Sequence, residues 1–84
     1  MGSMHEAPYK VLLECVRAAR RAANVTQVEL AQKLGTDQSY VSKYERGERR
    51  LDVVELRAVC IALEIDLAKF LADFEQQLKQ KGLA

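Results

Sequence analysis

Four polar side chains near the middle of the chain have the chemistry needed to recognise the edges of nucleic-acid bases. They are Gln38, Ser39, Ser42 and Lys43. At about 100° per residue in a helix they share one face, opposite Val41 and Tyr44. An amide pairs with adenine, an ammonium donates to guanine, and a hydroxyl serves either base. Any solvent-facing helix also carries polar residues, so this face alone leaves a binding role and a solvated surface both open.

Side chains on either side of this face could contact phosphates. Gln27 lies at the first turn of a preceding helix, where free backbone N–H groups and the helix dipole favour an anion. Arg46, Arg49 and Arg50 directly follow the polar face, and guanidinium groups suit phosphate geometry. The alternative for these arginines is a solvated run of charge. Together the two sets predict phosphate contacts beside a base-reading helix.

Capping signals predict the two helices that carry these residues. Thr26 stands three residues before Glu29, which is a capping box, and Gly35 can end the helix, predicted at about 27–34. Asp37 can cap the next helix, which lies around residues 38 to 45 and ends at Gly47. Only residues 35–37 separate them. Two short helices joined by a glycine-containing turn form a helix-turn-helix unit.

Three further helices are predicted around this unit. Pro8 suits the first turn of a helix that spans about 8–23. Asp52 begins a fourth helix, whose expected buried stripe is Val53, Leu56, Val59, Cys60 and Leu63. Asp66 begins a long fifth helix that runs to about Lys79. The prediction is a compact all-α, five-helix domain over 8–80, with an expression remnant and leader at 1–7 and a tail at 81–84.

Composition narrows the class of protein. Apolar residues make up 49% and charged residues 30% of the 84 residues, which suits one globular domain and argues against disorder. No stretch resembles a membrane span or a signal peptide, so a cytoplasmic location is expected. Cys15, Cys60 and the one histidine, His5, lack the spacing of a disulfide framework or a zinc site. No metal or cofactor is therefore expected.

The charge is unevenly distributed along the chain. The net charge is only +1, but residues 10–50 hold nine Lys and Arg against five Asp and Glu. Residues 51–84 hold four against six. A polyanion would therefore be attracted to the first segment, which contains the predicted helix-turn-helix.

The sequence resembles the lambda-repressor-like helix-turn-helix domains, which include phage repressor, Cro and Xre-type regulators. The resemblance runs from about Val16 to Leu71, and its motifs read NVTQVELAQKLG, then TDQSYVSKYERG, then LDVVELRAVCIALEI. It implies base contacts by Gln38, Ser39 and Lys43, and phosphate contacts by Gln27 and Arg46. Tyr40, at the edge of the face, is expected among the backbone contacts, where it packs on a sugar or on a thymine methyl. The resemblance also implies an ion pair between Arg20 and Glu45 that joins the first and third helices.

These features favour one function over two alternatives. The first hypothesis is a transcriptional regulator, either a repressor or a dual regulator, that binds a palindromic double-stranded DNA operator as a homodimer. The second is an antitoxin-type module of the same fold whose chief partner is a protein. An enzyme is disfavoured because the sequence shows no paired carboxylates in a plausible pocket and no phosphate-binding glycine loop.

The fifth helix predicts how the dimer forms. Its apolar residues fall in one arc: Leu67, Phe70, Leu71, Phe74 and Leu78. Phe74 and Leu78 lie beyond the part of the domain that four other helices are expected to cover, so they are assigned to a homodimer interface. The alternative is that this end of the helix packs back onto its own domain.

Overall fold

The computed structural model describes the backbone of residues 3–84 and the side chains from Glu6 onward. Met1 and Gly2, assigned to the expression remnant, lie outside the described residues. The five helices are α1 (Ser3–Ala22), α2 (Gln27–Leu34), α3 (Gln38–Glu45), α4 (Val53–Ala62) and α5 (Leu67–Gln80). The predicted all-α, five-helix fold is confirmed. Within residues 3–84, no helix is both long enough and apolar enough to cross a membrane.

The helix-turn-helix unit forms where its capping signals place it. The Thr26 hydroxyl accepts from the Glu29 N–H at 3.0 Å, and the Glu29 carboxylate accepts from the Thr26 N–H at 2.9 Å. Gly35 ends α2 with φ of 72°, a conformation that glycine adopts without steric cost. Asp37 then accepts from the Tyr40 N–H at 3.2 Å and begins α3. These bonds satisfy orphan backbone groups locally and so fix the turn between the helices.

The core lies beneath this unit and against α1, α4 and α5. Its most completely buried large side chains are Val16, Leu30, Val41, Tyr44, Val59 and Cys60. Val41 and Tyr44 fall on the inner face of α3, as predicted, so the polar face points outward. Val53, predicted to be buried on α4, is 64% exposed because it opens the first turn on the solvent side. The other four residues of that stripe are buried.

Helix α1 begins earlier than predicted. It starts at Ser3, and Pro8 lies inside it rather than at its first turn. Proline fixes its own φ and removes one N–H, and near a helix N-terminus this does not prevent the preceding residues from being helical. Pro8 and Leu12 of α1 border the groove that contains Phe74 of α5.

The assignment of Phe74 and Leu78 to a dimer interface is wrong in its premise that a monomer leaves them exposed. Leu78 is only 7% exposed, and Phe74 is half-buried in a groove that also contains Pro8 and Leu12 of α1. The end of α5 therefore packs onto its own domain, which was the alternative. The large apolar residue of α5 that stays exposed is Leu71, at 36%.

This packing predicts different costs for two leucine substitutions on α5. Leu78→Ala should lower the free energy of unfolding by about 2 to 4 kcal/mol, because it removes a buried side chain and leaves a cavity. Leu71→Ala, the matched control, should cost less than about 1 kcal/mol. Urea unfolding at several protein concentrations measures both. A loss for Leu78→Ala that vanishes on dilution would show that the residue stabilises an assembly instead.

Candidate nucleic-acid interface

A buried ion pair joins α1 to the end of α3. The Arg20 guanidinium donates to both oxygens of Glu45, from Nε at 2.8 Å and from Nη2 at 3.1 Å. Its remaining nitrogen, Nη1, donates to the Val25 carbonyl at 2.9 Å in the loop before α2. Arg20 is 8% and Glu45 6% exposed. One guanidinium therefore fixes α1, the following loop and α3 relative to one another.

Two amides extend this pair to the outer face of α3. Gln27 Nε2 donates to Glu45 Oε1 at 2.9 Å, and Gln38 Nε2 donates to Gln27 Oε1 at 2.8 Å. The bonds leave Gln38 with a free Oε1 and one free N–H, which are the two groups that a glutamine presents to adenine N6 and N7. The structure thus brings together a predicted base contact, a predicted phosphate contact and the ion pair.

Ser39 and Lys43 also lie on the exposed side of α3. The Ser39 hydroxyl donates to Asp37 Oδ1 at 2.7 Å, and this bond is the main cause that lowers the pKa of the Asp37 carboxyl. Ser39 keeps its oxygen lone pairs available to accept a hydrogen bond. Lys43 is exposed, and among the described residues it forms no ion pair.

Ser42 and Arg46 are bonded to each other. The Arg46 guanidinium donates to the Ser42 hydroxyl oxygen and binds Glu48 at 2.9 and 3.1 Å. The bonds with Glu48 raise the pKa of Arg46 and lower that of Glu48. Both charges are exposed, so a phosphate that binds Arg46 has to compete only with a solvated carboxylate.

Tyr40 lies between the core and the Arg49 side chain. Its ring meets that of Tyr44 edge to face, with centroids 5.5 Å apart, and the Arg49 guanidinium lies 4.7 Å from its centroid. Arg49 also binds Glu55 at 2.7 Å. Burial is the main cause that raises the pKa of Tyr40. The ring is thus a half-buried platform for Arg49 at the margin of the outer face.

Arg50 lies away from the other predicted phosphate contacts. Its guanidinium is 4.2 Å from the ring centroid of Tyr9, on α1, and it borders the same groove as Phe74 of α5. The Tyr9 hydroxyl accepts from the Leu51 N–H at 2.9 Å. Arg50 therefore takes part in holding the loop before α4 against α1, a role that the sequence did not indicate.

The sequence analysis missed three cations on α1. Arg17 Nε lies 3.6 Å from Glu45 Oε1, and Lys10 and Arg21 line the same groove between α1 and α3. Their signal was present in the spacing i, i+7 and i+11, which places all three on one side of a helix. No group of metal-ligating side chains is found in the part of the chain that the structure describes.

A model of the helix-turn-helix family matches residues 16–70, the segment that contains this site. The chain belongs to this family. Its fold is similar to the solved XRE-family-like protein from Pseudomonas syringae pv. tomato DC3000. The two are 44% identical with a TM-score of 0.84, over 89% of this chain and 92% of the other. The expected Xre-type, lambda-repressor-like class is confirmed.

Two curated relatives of this family are named as regulators. An uncharacterized HTH-type transcriptional regulator of Sinorhizobium fredii is 30% identical over 80% of this chain and 47% of its own length. An uncharacterized transcriptional regulator in the ATPase CF(0) region of Rhodospirillum rubrum is 33% identical over 73% of this chain and 56% of its own. The chain thus spans about half the length of these relatives.

The buried ion pair predicts strong coupling between Arg20 and Glu45. Glu45→Ala should lower the free energy of unfolding by about 3 to 5 kcal/mol, because it leaves the buried charge of Arg20 unpaired. Arg20→Ala should cost less, because Arg17 stays 3.6 Å from Glu45. The double substitution should cost clearly less than the sum of the two. A double-mutant cycle by urea unfolding checks this, and additive losses would contradict the pairing.

The same pair predicts a pH dependence. Burial opposes the ionisation of Glu45, but hydrogen bonds from Arg20 and Gln27 and the nearby cations outweigh it and lower its pKa. Its contribution to stability is therefore full above the unfolded carboxyl pKa of about 4.3 and is lost as pH falls through the lower folded value. The stability difference between wild type and Glu45→Gln should shrink below about pH 4. A difference that stays constant from pH 7 to pH 3 would contradict this.

Proposed function

We propose that the protein is a transcriptional repressor that binds a palindromic DNA operator as a homodimer, with α3 in the major groove. The observation that carries the proposal is the position of Gln38 on the outer face of α3. Its amide is held by Gln27 with one donor and one acceptor free. A side chain held in this way loses little conformational freedom on binding, so its base contact discriminates efficiently.

The neighbouring groups support the same function. Ser39 and Lys43 supply a further acceptor and a cation on the exposed side, and Arg46 lies at the C-terminal end of α3. Base edges and backbone phosphates both have suitable partners on this surface. The names of the relatives, which are transcriptional regulators, agree with this proposal.

We assign the dimer interface to the outer face of α4, which a second copy of the protein would cover. Val54 and Ile61 are 72% and 58% exposed and lie on one side of that helix, seven residues apart. The opposite side of α4 packs in the core, so the helix is apolar on both sides. This pattern is typical of a helix that is buried on both sides. A palindromic site requires a two-fold partner, and an apolar patch is suited to a self-complementary interface.

This interface predicts a monomer when Ile61 is charged. Ile61→Glu should dissociate the dimer, because burial of each large apolar side chain contributes about 1.5 to 3 kcal/mol. It should also weaken operator binding without loss of helicity. Sedimentation of wild type, Ile61→Glu and the control Glu75→Gln on α5 measures this. A wild type that sediments as a monomer at tens of micromolar would contradict the interface.

The base-reading role predicts a sequence-dependent loss for Gln38. An operator is first selected from random duplexes, and affinities are then measured on all its single-base variants. Gln38→Ala should relax the preference at one base pair by about 1 to 3 kcal/mol, whereas Arg46→Ala should weaken binding to every duplex alike. Uniform losses for Gln38→Ala would contradict its role. Repression is tested separately by transcription from a promoter that contains the selected operator.

A further inference from the structure

A groove between α1 and α3 has a cationic lining that the base-reading face does not explain. Its volume is about 530 Å³, and its charged lining comprises Lys10, Arg17, Arg21 and Arg46 with Glu14 and Glu45. The cations outnumber the carboxylates in a cleft that opens beside the end of α3. We call the three cations of α1, which are Lys10, Arg17 and Arg21, the α1 cation line.

The carboxylates of the groove do not neutralise this line. Glu45 already binds Arg20 through both oxygens and accepts from Gln27, so Arg17, 3.6 Å away, is a surplus cation beside a satisfied carboxylate. Lys10 and Arg21 form no ion pair with any carboxylate of residues 6–84. Glu14 alone remains to oppose them. The groove therefore has a local positive charge.

The grooves on the two sides of α1 differ in charge. On the α3 side, the cation line falls within an arc of about 40° and extends roughly 16 Å along the helix axis. On the other side, the groove between α1 and α5 is lined by four carboxylates and one lysine: Glu14, Glu64, Asp66, Asp73 and Lys69. Of these five residues only Glu14 belongs to α1, and it also lines the groove with α3, so the contrast is one between the two grooves. A polyanion would be attracted to the α3 side.

The cation line is also continuous with the reading site. Arg17 contacts Glu45, which accepts from Gln27 at 2.9 Å, and Gln27 accepts from Gln38 at 2.8 Å. Arg17 and Arg21 are thus at the end of the line nearest the reading site, and Lys10 is farthest from it. A DNA strand whose bases meet Gln38 therefore passes close to the arginine end of the line.

We propose that the α1 cation line binds the sugar-phosphate backbone of DNA beyond the base pairs that α3 reads. The line adds affinity without sequence preference, because phosphates have the same chemistry at every step. Each protomer therefore needs a longer duplex for full affinity, because these contacts lie on the α1 side of the base pairs that α3 reads. This inference rests on the proposed function, since it names a further part of the same DNA site.

Two triple variants with the same change in net charge test the proposal. The first neutralises the line with Lys10→Gln, Arg17→Gln and Arg21→Gln, and the control neutralises α5 and its C-terminal cap with Lys69→Gln, Lys79→Gln and Lys81→Gln. Affinity for the selected operator is measured from 50 to 200 mM KCl. Each lost phosphate contact lowers the salt slope by about 0.9, and a dimer of the first variant loses three contacts in each protomer. Its affinity should therefore change roughly 2,000-fold less than that of wild type over this range. The control should keep the wild-type slope.

The affinity for shorter duplexes shows where along the DNA the cation line makes its contacts. Removal of base pairs outside each half-site should weaken binding of wild type and of the control, but not of the variant that lacks the line. The double variant Lys10→Gln, Arg21→Gln retains the contact between Arg17 and Glu45. It should show about two-thirds of the slope change even if the triple variant is unstable.

The outcomes separate this inference from the proposed function. If wild type selects no operator, the proposed function fails. If wild type binds a selected operator but both triple variants keep its salt slope, the line is only solvated charge and the inference is overturned. Equal slope losses in both variants would also overturn it, because they would reflect net charge rather than position.

Discussion

The bidentate ion pair between Arg20 and Glu45 is the interaction on which the proposed recognition surface depends. Both charges are buried, so each is tolerated only because the other neutralises it and their remaining hydrogen-bonding groups are satisfied. Arg20 also binds the Val25 carbonyl, which fixes the chain just before α2. The positions of α2 and α3 relative to α1 thus follow from the geometry of one guanidinium. A lysine could not replace it, because an ammonium lacks the planar fork.

The surface is rigid at its centre and adaptable at its margins. Gln27 bonds directly to the buried carboxylate, and Gln38 bonds to Gln27, so the reading amide is only two hydrogen bonds from the core. Arg46 is held by the exposed carboxylate of Glu48, which phosphate can displace at small cost, and Arg49 by the partly exposed Glu55. This gradient suits recognition, because base contacts need fixed geometry whereas backbone contacts need charge within reach.

The parts of the fold that depend on short-range chemistry could be predicted from the sequence, and those that depend on distant contacts could not. The Thr26 capping box and the glycine turn of Gly35 act within a few residues, so α2 and α3 were placed correctly. The half-burial of Phe74 requires cover from Pro8 and Leu12 of α1, and Arg50 stacks on Tyr9, which is 41 positions away. Neither contact leaves a local pattern. The outward polar face followed from helical periodicity, but the bond from Gln27 to Glu45 became visible only in three dimensions.

The most direct test of this account is the affinity of Gln27→Ala for the single-base variants of the selected operator. If the network orients Gln38, the substitution should relax the preference most at the base pair read by Gln38, although Gln27 itself reads no base. A smaller loss common to all duplexes should accompany it, because Gln27 also lies at the N-terminal end of α2, where we propose a phosphate contact. A loss that is the same for every variant would contradict the account, because Gln27 would then contact only the backbone and the buried ion pair would not control base recognition.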